Sequence, residues 1–175
     1  MDVRNAEEIE IDQIARVWHD AWRDAHLALA PPELTRLRTF ETFRQRIADA
    51  LAEVRVIGPV GAPVGLCMIK HDELYQLFVA SAARGTGAAA ALLADGEARL
   101  ARCAVQTAFL ACAIGNDRAA RFYEKHGWRR VGNMMSRLET PEGELALEVW
   151  RYEKTLQPTT RGDATEQRSD TCALQ

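Results

Sequence analysis

Long hydrophobic runs are absent from this sequence. No uninterrupted apolar stretch approaches the roughly 18 residues that a membrane-spanning helix needs, so we predict no membrane partner. The N-terminal residues MDVRNAEEIEID are acidic and polar, whereas a secretory signal begins with basic residues followed by an apolar segment. We therefore expect a cytoplasmic protein.

Cysteine is scarce, and its spacing suits no metal. The four cysteines include no CxxC pair and no cluster with histidine, so the sequence predicts neither a zinc site nor another metal site. We expect Cys67, Cys103 and Cys112 to be buried, unreactive thiols, with Cys172 as the exception.

The sequence also has no excess of basic residues. The chain has 22 Lys and Arg residues against 25 Asp and Glu residues, which gives a formal net charge of −3. Proteins that bind nucleic acids normally present a basic face, so we expect no nucleic-acid partner. The acidic balance favours a cationic acceptor, such as an amine.

The composition that is present fits one globular domain. The 175 residues are 47% hydrophobic, which is enough for a single core, and no second full domain is needed to explain the length. We assign residues 1–156 to this domain. Residues 157–175 are rich in Thr, Gln, Asp and Arg without apolar periodicity, which predicts a polar C-terminal tail, either flexible or packed as an arm.

Helical periodicity dominates the start of the chain. A short strand at Val3 and Arg4 precedes apolar residues at helical spacing over residues 7–28. Pro31 and Pro32 end this helix, because proline removes a backbone donor and restricts the residue before it. A second helical pattern covers residues 34–51, so two helices are predicted ahead of the main sheet.

Three strands and a long helix come next. Residues 54–57, 64–70 and 73–79 are predicted to form antiparallel strands. A helix follows from Gly87, and its Gly96 is expected to let it lie close to the sheet.

The last part of the domain is predicted as strand, helix and hairpin. Residues 106–113 are almost wholly apolar, as in a parallel strand that is buried on both faces. A short helix over residues 117–126 has Asn116 as its natural N-cap. Strands over 128–137 and 145–154 then form a hairpin around a polar connection.

The stretch between the third strand and the long helix is suited to an anion. Gly85 and Gly87 allow backbone conformations with positive φ and a close approach to a ligand. The first turn of the helix leaves amide groups unpaired, and these groups favour a negative charge. The sequence therefore predicts a phosphate-binding loop.

Two motifs together resemble those of the GNAT superfamily of acyl-CoA-dependent N-acyltransferases. The first is the cofactor-loop pattern Gln/Arg-x-x-Gly-x-Gly/Ala, matched here by Arg84, Gly87 and Ala89; the second is NDRAARFYEKHGW, residues 116–128. The resemblance implies an α/β fold of the α+β type. In this fold a mixed, mostly antiparallel sheet of six to seven strands is flanked by about four helices and splays between its fourth and fifth strands.

The resemblance also implies roles for individual residues. The strand before the loop pairs with the pantetheine arm of acetyl-CoA, and the loop amides take the pyrophosphate. Asn116 has a second implied role as a partner of the pantetheine amides, and Tyr123 as the general acid that protonates the departing thiolate. The residues implied to contact the cofactor are Leu77, Phe78, Val79, Arg84, Gly85, Thr86, Gly87, Ala88, Ala89, Asn116 and Tyr123.

Glu73 stands where some relatives supply a general base. An alkylammonium has a pKa of about 10 and must lose a proton before its nitrogen attacks a thioester. A water chain, His71, Asp72 and Tyr75 are alternatives to Glu73 as the base.

The acceptor pocket is expected between residues 28–39 and 139–144. Trp22 and Tyr75 are its candidate substrate-binding residues, although the spacing of Trp18 and Trp22 favours core anchors over substrate contact.

The resemblance implies transfer of an acetyl group from acetyl-CoA to a primary amine through a ternary complex. A small amine is the expected acceptor. The alternatives are a protein N-terminus or lysine as acceptor, or a non-catalytic acyl-CoA sensor. The sequence leaves open whether the protein is a monomer or a homodimer.

Overall fold

The computed structural model describes residues 2–157 and places them in one α/β unit around a seven-stranded mixed sheet. The strands are β1 (Val3–Asn5), β2 (Arg55–Ile57), β3 (Gly65–Lys70), β4 (Glu73–Val79), β5 (Thr107–Ala113), β6 (Arg129–Thr140) and β7 (Gly143–Thr155). The helices are α1 (Ile11–His26), α2 (Pro32–Leu37), α3 (Phe40–Asp49), α4 (Ala88–Arg102) and α5 (Asp117–Lys125). The predicted fold class is confirmed, with five helices in place of about four. Beyond Gln157 the predicted tail lies outside the described residues.

The helical segment predicted over residues 34–51 is two helices, which corrects the sequence prediction. Arg38 leaves the helical conformation with φ −89° and ψ 64°, and α3 begins two residues later. The Thr39 hydroxyl accepts a hydrogen bond from the Thr42 amide at 3.3 Å and so caps α3. Pro32 occupies the first turn of α2, where its missing amide has no cost.

The strand order is β1-β2-β3-β4-β5-β7-β6, and every neighbouring pair is antiparallel except β4 and β5. The parallel pair is in register only at Glu73 and Phe109. Beyond that point β4 continues against β3 as far as Val79, and β5 continues against β7 as far as Ala113. The two strands therefore separate, which confirms the predicted splay.

Helix α4 lies directly on the sheet because Gly96 has no side chain. A Cβ at this position would lie 2.6 Å from Cδ1 of Leu74 and 3.2 Å from Sγ of Cys67. Side chains on the same face of α4, including Leu92, Leu93 and Leu100, join the core beneath it. The prediction that Gly96 permits this close approach is confirmed.

Strand β5 is buried on one face, whereas the sequence predicted burial on both. Ala108, Leu110 and Cys112 are in the core, and the residues between them are only partly buried. The apolar character of the second face has another cause, because Phe109, Ala111 and Ala113 border a cleft.

One cysteine also differs from its prediction. Cys103 is exposed at the C-terminal end of α4, where Ala104 adopts φ +61° as the chain leaves the helix. Cys67 and Cys112 are buried free thiols, as predicted. Cys172 lies outside the described residues.

The final hairpin is longer than predicted. Strands β6 and β7 pair as far as Thr140 and Gly143, so the connection shortens to Pro141 and Glu142. Arg36 of α2 donates two hydrogen bonds to the Glu142 carboxylate, at 3.0 and 2.9 Å. These bonds hold the hairpin tip against the α2 helix.

A buried carboxylate holds the N-terminal strand in place. Glu10 is fully buried, and its two oxygens accept hydrogen bonds of 2.7 Å from Arg4. The Gly61 amide donates to the same carboxylate at 2.9 Å. The hydrogen bond from Arg4 is the main cause that lowers the pKa of Glu10 to about 2, and burial opposes it.

We expect Glu10→Gln to lower the free energy of unfolding at pH 7 by roughly 2–3 kcal/mol, because it removes a buried, charge-assisted pair. The folded pKa of about 2 lies below the ordinary value of 4.5, so this stability is present above pH 4.5 and is lost as the pH falls towards 2. Urea unfolding from pH 2 to 7 measures the effect, with Glu8→Gln as the exposed control. A difference between Glu10→Gln and wild type that stays constant over this range would contradict it.

Candidate active site

A cleft of about 920 Å³ follows the gap between β4 and β5. Its walls come from both strands, from α1 and α5, from the loop before α4 and from the final hairpin. Most of the predicted site residues border it: Trp22, Glu73, Tyr75, Leu77, Phe78, Val79, Arg84, Gly85, Gly87, Ala89, Asn116 and Tyr123.

Two predicted cofactor-binding residues do not border the cleft. The Thr86 hydroxyl donates to the Ala83 carbonyl at 2.7 Å and so turns back into the loop. Ala88 is 2% exposed, and its side chain belongs to the core beneath α4. Ala88 can therefore offer a ligand only backbone groups, whereas Thr86 is exposed but has already donated its hydroxyl proton within the loop.

A β-bulge in β4 shapes the middle of the cleft. Met68 of β3 pairs with Gln76 and Ile69 pairs with Leu74, so Tyr75 is an extra residue in β4. A bulge changes the direction of the side chains that follow it. As a result, Tyr75 and Phe78 pack with the α1 and α3 core on one side of the sheet.

The loop before α4 has the geometry of an anion site. Gly85 and Gly87 have φ values of +78° and +90°, and ideal Cβ atoms built on them have no neighbour within 4 Å. Within the described residues no side chain caps α4 at Gly87. The first-turn amides of α4 therefore remain available at the edge of the cleft, where they favour a phosphate.

Arg84 takes part in an ion cluster that the sequence did not suggest. Its guanidinium and that of Arg118 both donate to Oδ2 of Asp24, the latter at 3.0 Å. The hydrogen bond from Arg84 is the largest cause of a lowered pKa of Asp24. The cluster is largely exposed, so we assign it little stability. It joins α1, the loop and α5 at one end of the cleft.

Tyr123 borders the cleft from α5. It is 9% exposed and its ring packs near Phe122, Trp128 and Tyr152. No group within residues 2–157 forms a hydrogen bond with its hydroxyl. Burial strongly raises the pKa of this hydroxyl, so it stays protonated at neutral pH and is available as a donor.

Glu73 begins β4 at the point where β4 and β5 part. It is partly buried, and burial is the main cause that raises its pKa to about 7. Asp72 raises the pKa further, while Lys70 and Arg151 lower it. A carboxylate with a pKa near the working pH is suited to accept and release a proton.

Asn116 caps α5, as predicted. Its Oδ1 accepts a hydrogen bond from the Ala119 amide at 3.2 Å. The side-chain NH₂ group makes no hydrogen bond with another described residue, and Asn116 borders the cleft. The cap therefore leaves two donors available to a ligand.

Cys112 also borders the cleft, and its thiol is unsuited to nucleophilic attack. Burial raises the pKa of this thiol to about 12, so almost no thiolate is present at neutral pH. This agrees with the prediction that Cys112 is unreactive.

The other end of the cleft, which we call the acceptor end, is bounded by α1, α3, β4 and the hairpin. Trp22 is 7% exposed and stacks on His26, with 5.4 Å between ring centroids. The Tyr75 hydroxyl accepts a hydrogen bond from Arg46 at 3.0 Å. Trp18 is fully buried, as expected of a core anchor.

Three residues at the acceptor end were not anticipated. His26 is partly buried, and burial lowers its pKa, which favours the neutral imidazole. Arg38 and Arg46 face the same end of the cleft. The sequence held a local signal only for Arg38. Thr39 is suited to cap a helix, and it marks the break between α2 and α3 at which Arg38 lies.

Within residues 2–157, no group of three or more His, Cys, Asp or Glu side chains is arranged to hold a metal ion. In the same part of the chain, no helix combines the length and apolar character needed to cross a bilayer.

Solved structures share this fold. A ribosomal-protein-alanine N-acetyltransferase from Brucella melitensis is 18% identical with a TM-score of 0.66, and the match covers 89% of this chain and 100% of that one. YncA from Salmonella typhimurium, solved with its cofactor acetyl-CoA, is 15% identical with a TM-score of 0.65 over 94% and 99% of the two chains. The PaiA N-acetyltransferase of Thermoplasma acidophilum, solved with coenzyme A, is 14% identical with a TM-score of 0.62 over 88% and 98%.

Family membership rests on the sequence. A comparison with curated proteins finds no match. The family model described as an acetyltransferase (GNAT) domain matches residues 30–138, which is more than half of the chain. The matched segment includes β4, the loop before α4, α4 itself and α5. The chain therefore belongs to the GNAT acetyltransferase family, and it is an acyl-CoA N-acyltransferase that uses acetyl-CoA.

Proposed function

We propose that the protein transfers the acetyl group of acetyl-CoA directly to the primary amine of a small acceptor, within a ternary complex. The observation that carries this proposal is the continuity of the cleft. It runs from the free amides of α4, through the gap between β4 and β5, to the acceptor end. Both substrates can therefore be bound at once, with the thioester between Tyr123 and Glu73.

In this proposal the cofactor occupies the half of the cleft next to α4 and α5. The pyrophosphate is bound by amides of residues 84–89, and the pantetheine arm lies against Leu77 and Val79. The Ala80 amide donates to the Val64 carbonyl across β3. Because successive amides of a strand point to opposite edges, the Val79 amide faces the gap. We assign it, ahead of the Phe78 amide, to the carbonyl oxygen of the thioester.

The chemistry then needs two proton transfers and no covalent enzyme intermediate. The amine nitrogen attacks the thioester carbonyl, the new C–N bond forms and the C–S bond breaks. Glu73, directly or through water, takes the proton that the amine loses. Tyr123 gives its proton to the departing thiolate. The protonated thiol of Cys112 offers no competing nucleophile.

The hairpin favours a small acceptor over a protein one. Its tip is held against α2 by Arg36, and Arg38 donates to the Glu139 carbonyl at 2.9 Å. These contacts close one side of the acceptor end. A peptide substrate would need an open groove at this position. We also propose a cytoplasmic location, in keeping with an intracellular cosubstrate, for either a monomer or a homodimer.

Rates of CoA release with small primary amines and with peptides test this choice of acceptor. We expect acetylation of small amines at rates well above those for peptides that carry a free N-terminus or a lysine. Efficient acetylation of peptides alone would show a protein acetyltransferase. If the protein binds acetyl-CoA but releases no CoA with any amine or peptide, it is a non-catalytic acyl-CoA sensor.

We expect Glu73→Gln to lower kcat/KM at pH 8 by roughly 10- to 100-fold, a smaller loss than usual because water can replace the base. The wild-type rate should rise as the pH passes about 7, since only the carboxylate accepts a proton, and the variant should lack this rise. Initial rates from pH 5.5 to 9 measure it. Asp72→Asn is the comparison variant. If Asp72→Asn loses the rise in rate with pH and Glu73→Gln keeps it, Asp72 is the base.

The same substitution should stabilise the fold at high pH. The folded pKa of about 7 lies above the ordinary value of 4.5, so the wild-type protein loses stability as the pH rises between these values. Glu73→Gln removes this loss and should melt at a higher temperature than wild type at pH 8, with little difference at pH 4.5. Lower activity combined with lower stability at pH 8 would indicate a structural role for Glu73.

A further inference from the structure

Arg38 is a buried cation without an acidic partner. Its position at the break between α2 and α3 leaves it 5% exposed. One guanidinium nitrogen donates to the Glu139 backbone carbonyl at 2.9 Å. Within residues 2–157, no carboxylate accepts a hydrogen bond from this side chain.

Arg46 lies near Arg38 and is partly buried. Its guanidinium lies 4.3 Å from the ring centroid of Trp18 and donates to the Tyr75 hydroxyl at 3.0 Å. Again no carboxylate in the described part of the chain pairs with it. Burial, followed by the charge of Arg46, lowers the pKa of Arg38 to about 10, which still leaves both side chains charged at neutral pH.

The acidic side chains at this end of the cleft do not neutralise the two arginines. Glu139 contributes its carbonyl to Arg38, while its carboxylate accepts a hydrogen bond from Lys70 at 3.3 Å and is largely exposed. Asp72, Glu73 and Glu148 also border the cleft. None of these three carboxylates forms an ion pair with Arg38 or Arg46, so the two guanidinium groups have no paired carboxylate among residues 2–157.

Burying a guanidinium without a counter-ion is costly, so such a group in a cleft indicates a ligand that supplies the anion. We propose that the acceptor is an amino carboxylate whose carboxylate is bound by Arg38 and Arg46 while its amine points towards Glu73. The planar fork of an arginine matches the two oxygens of a carboxylate. This inference rests on the proposed function and specifies its acceptor.

The competing explanation is that Arg38 only supports the hairpin through the Glu139 carbonyl. Matched acceptors separate the two roles in Arg38→Gln, because loss of the charge affects only a carboxylate acceptor, whereas loss of hairpin support affects charged and uncharged acceptors alike. Arg36→Gln is the matched control. Arg36 also bonds to the hairpin, through Glu142, but it is exposed and does not border the cleft.

The test uses pairs of acceptors that differ only in the carboxylate: L-amino acids and ω-amino carboxylates beside their carboxamides. With wild-type protein we expect kcat/KM for the preferred carboxylate to exceed that of its carboxamide by roughly 10- to 100-fold. Arg38→Gln should raise KM for the carboxylate by a similar factor while leaving KM for the carboxamide and for acetyl-CoA unchanged. Arg36→Gln should behave as wild type.

Equal or better turnover of the carboxamides would overturn the inference while leaving amine acetylation intact. If Arg38→Gln lowers kcat/KM equally for a carboxylate and its carboxamide, Arg38 only supports the hairpin. If no amine is acetylated, the proposed function fails, and calorimetry with ω-hydroxy carboxylates in the presence of CoA decides the anion site separately. Binding to wild type that is lost in Arg38→Gln supports the site, and no binding to wild type overturns it.

If Arg38→Gln does not fold, the comparison of carboxylates with carboxamides on the wild-type protein remains decisive.

Discussion

Tyr123→Phe should leave acetyl-CoA affinity nearly unchanged and lower kcat by roughly 10²- to 10⁴-fold, the range expected when a proton donor is lost. Phenylalanine keeps the buried ring and removes only the hydroxyl. Within residues 2–157 that hydroxyl has no hydrogen-bond partner, so its removal should cost the fold little. Its raised pKa keeps it protonated until the thiolate forms. The measurement is kcat with an acetylated amine, beside calorimetry of acetyl-CoA binding.

Tyr152→Phe is the matched control for this substitution. Tyr152 is fully buried next to Tyr123, and its hydroxyl donates to Glu124 at 3.1 Å. Its loss should lower stability by about 1 kcal/mol with no change in turnover per folded molecule. The opposite pattern, with Tyr123→Phe less stable and fully active, would remove Tyr123 from the mechanism and leave water as the proton source.

Gly87→Glu should raise the Kd of acetyl-CoA at least about 100-fold, a loss of close to 3 kcal/mol. A carboxylate at this position lies beside the free amides of α4 and repels the pyrophosphate. The chain should still fold, since a Cβ on Gly87 meets no atom within 4 Å. The positive φ of +90° adds a strain of roughly 1–2 kcal/mol. Calorimetry with acetyl-CoA and with CoA measures the loss.

Gly143→Glu places the same side chain on another positive-φ glycine, away from the cofactor end of the cleft. Gly143 has φ +112° and equally open space around a Cβ, and it does not border the cleft. This variant should lose stability to a similar degree while binding acetyl-CoA as wild type does. Unchanged affinity in a folded Gly87→Glu protein would contradict the assignment of the loop to the pyrophosphate.

Local chemistry made part of the site predictable. Gly87 has positive φ at the start of α4, and Asn116 caps α5, because each feature depends on a few adjacent residues. The close approach of α4 to the sheet at Gly96 followed from helical spacing and the lack of a side chain. The order of strands and helices followed from the same local patterns together with the family resemblance.

Other features depend on contacts that local patterns do not record. The bulge at Tyr75 is a property of the pairing between β3 and β4, and an apolar strand sequence does not show it. Arg38 is buried because α2 breaks and the distant hairpin supplies the Glu139 carbonyl. Periodicity missed this break, since the apolar residues before and after it remain on one side. The sequence predicted that both faces of β5 lie in the core. Its second face borders the cleft, and a cleft favours apolar side chains as a core does.

The most direct test of the proposed transfer is its kinetic order. Initial rates of CoA release are measured over a grid of acetyl-CoA and amine concentrations, and the product is identified by mass spectrometry. Direct transfer in a ternary complex predicts intersecting double-reciprocal lines and one acetylated amine for each CoA released. Parallel lines, together with acetylated protein isolated in the absence of the amine, would contradict it.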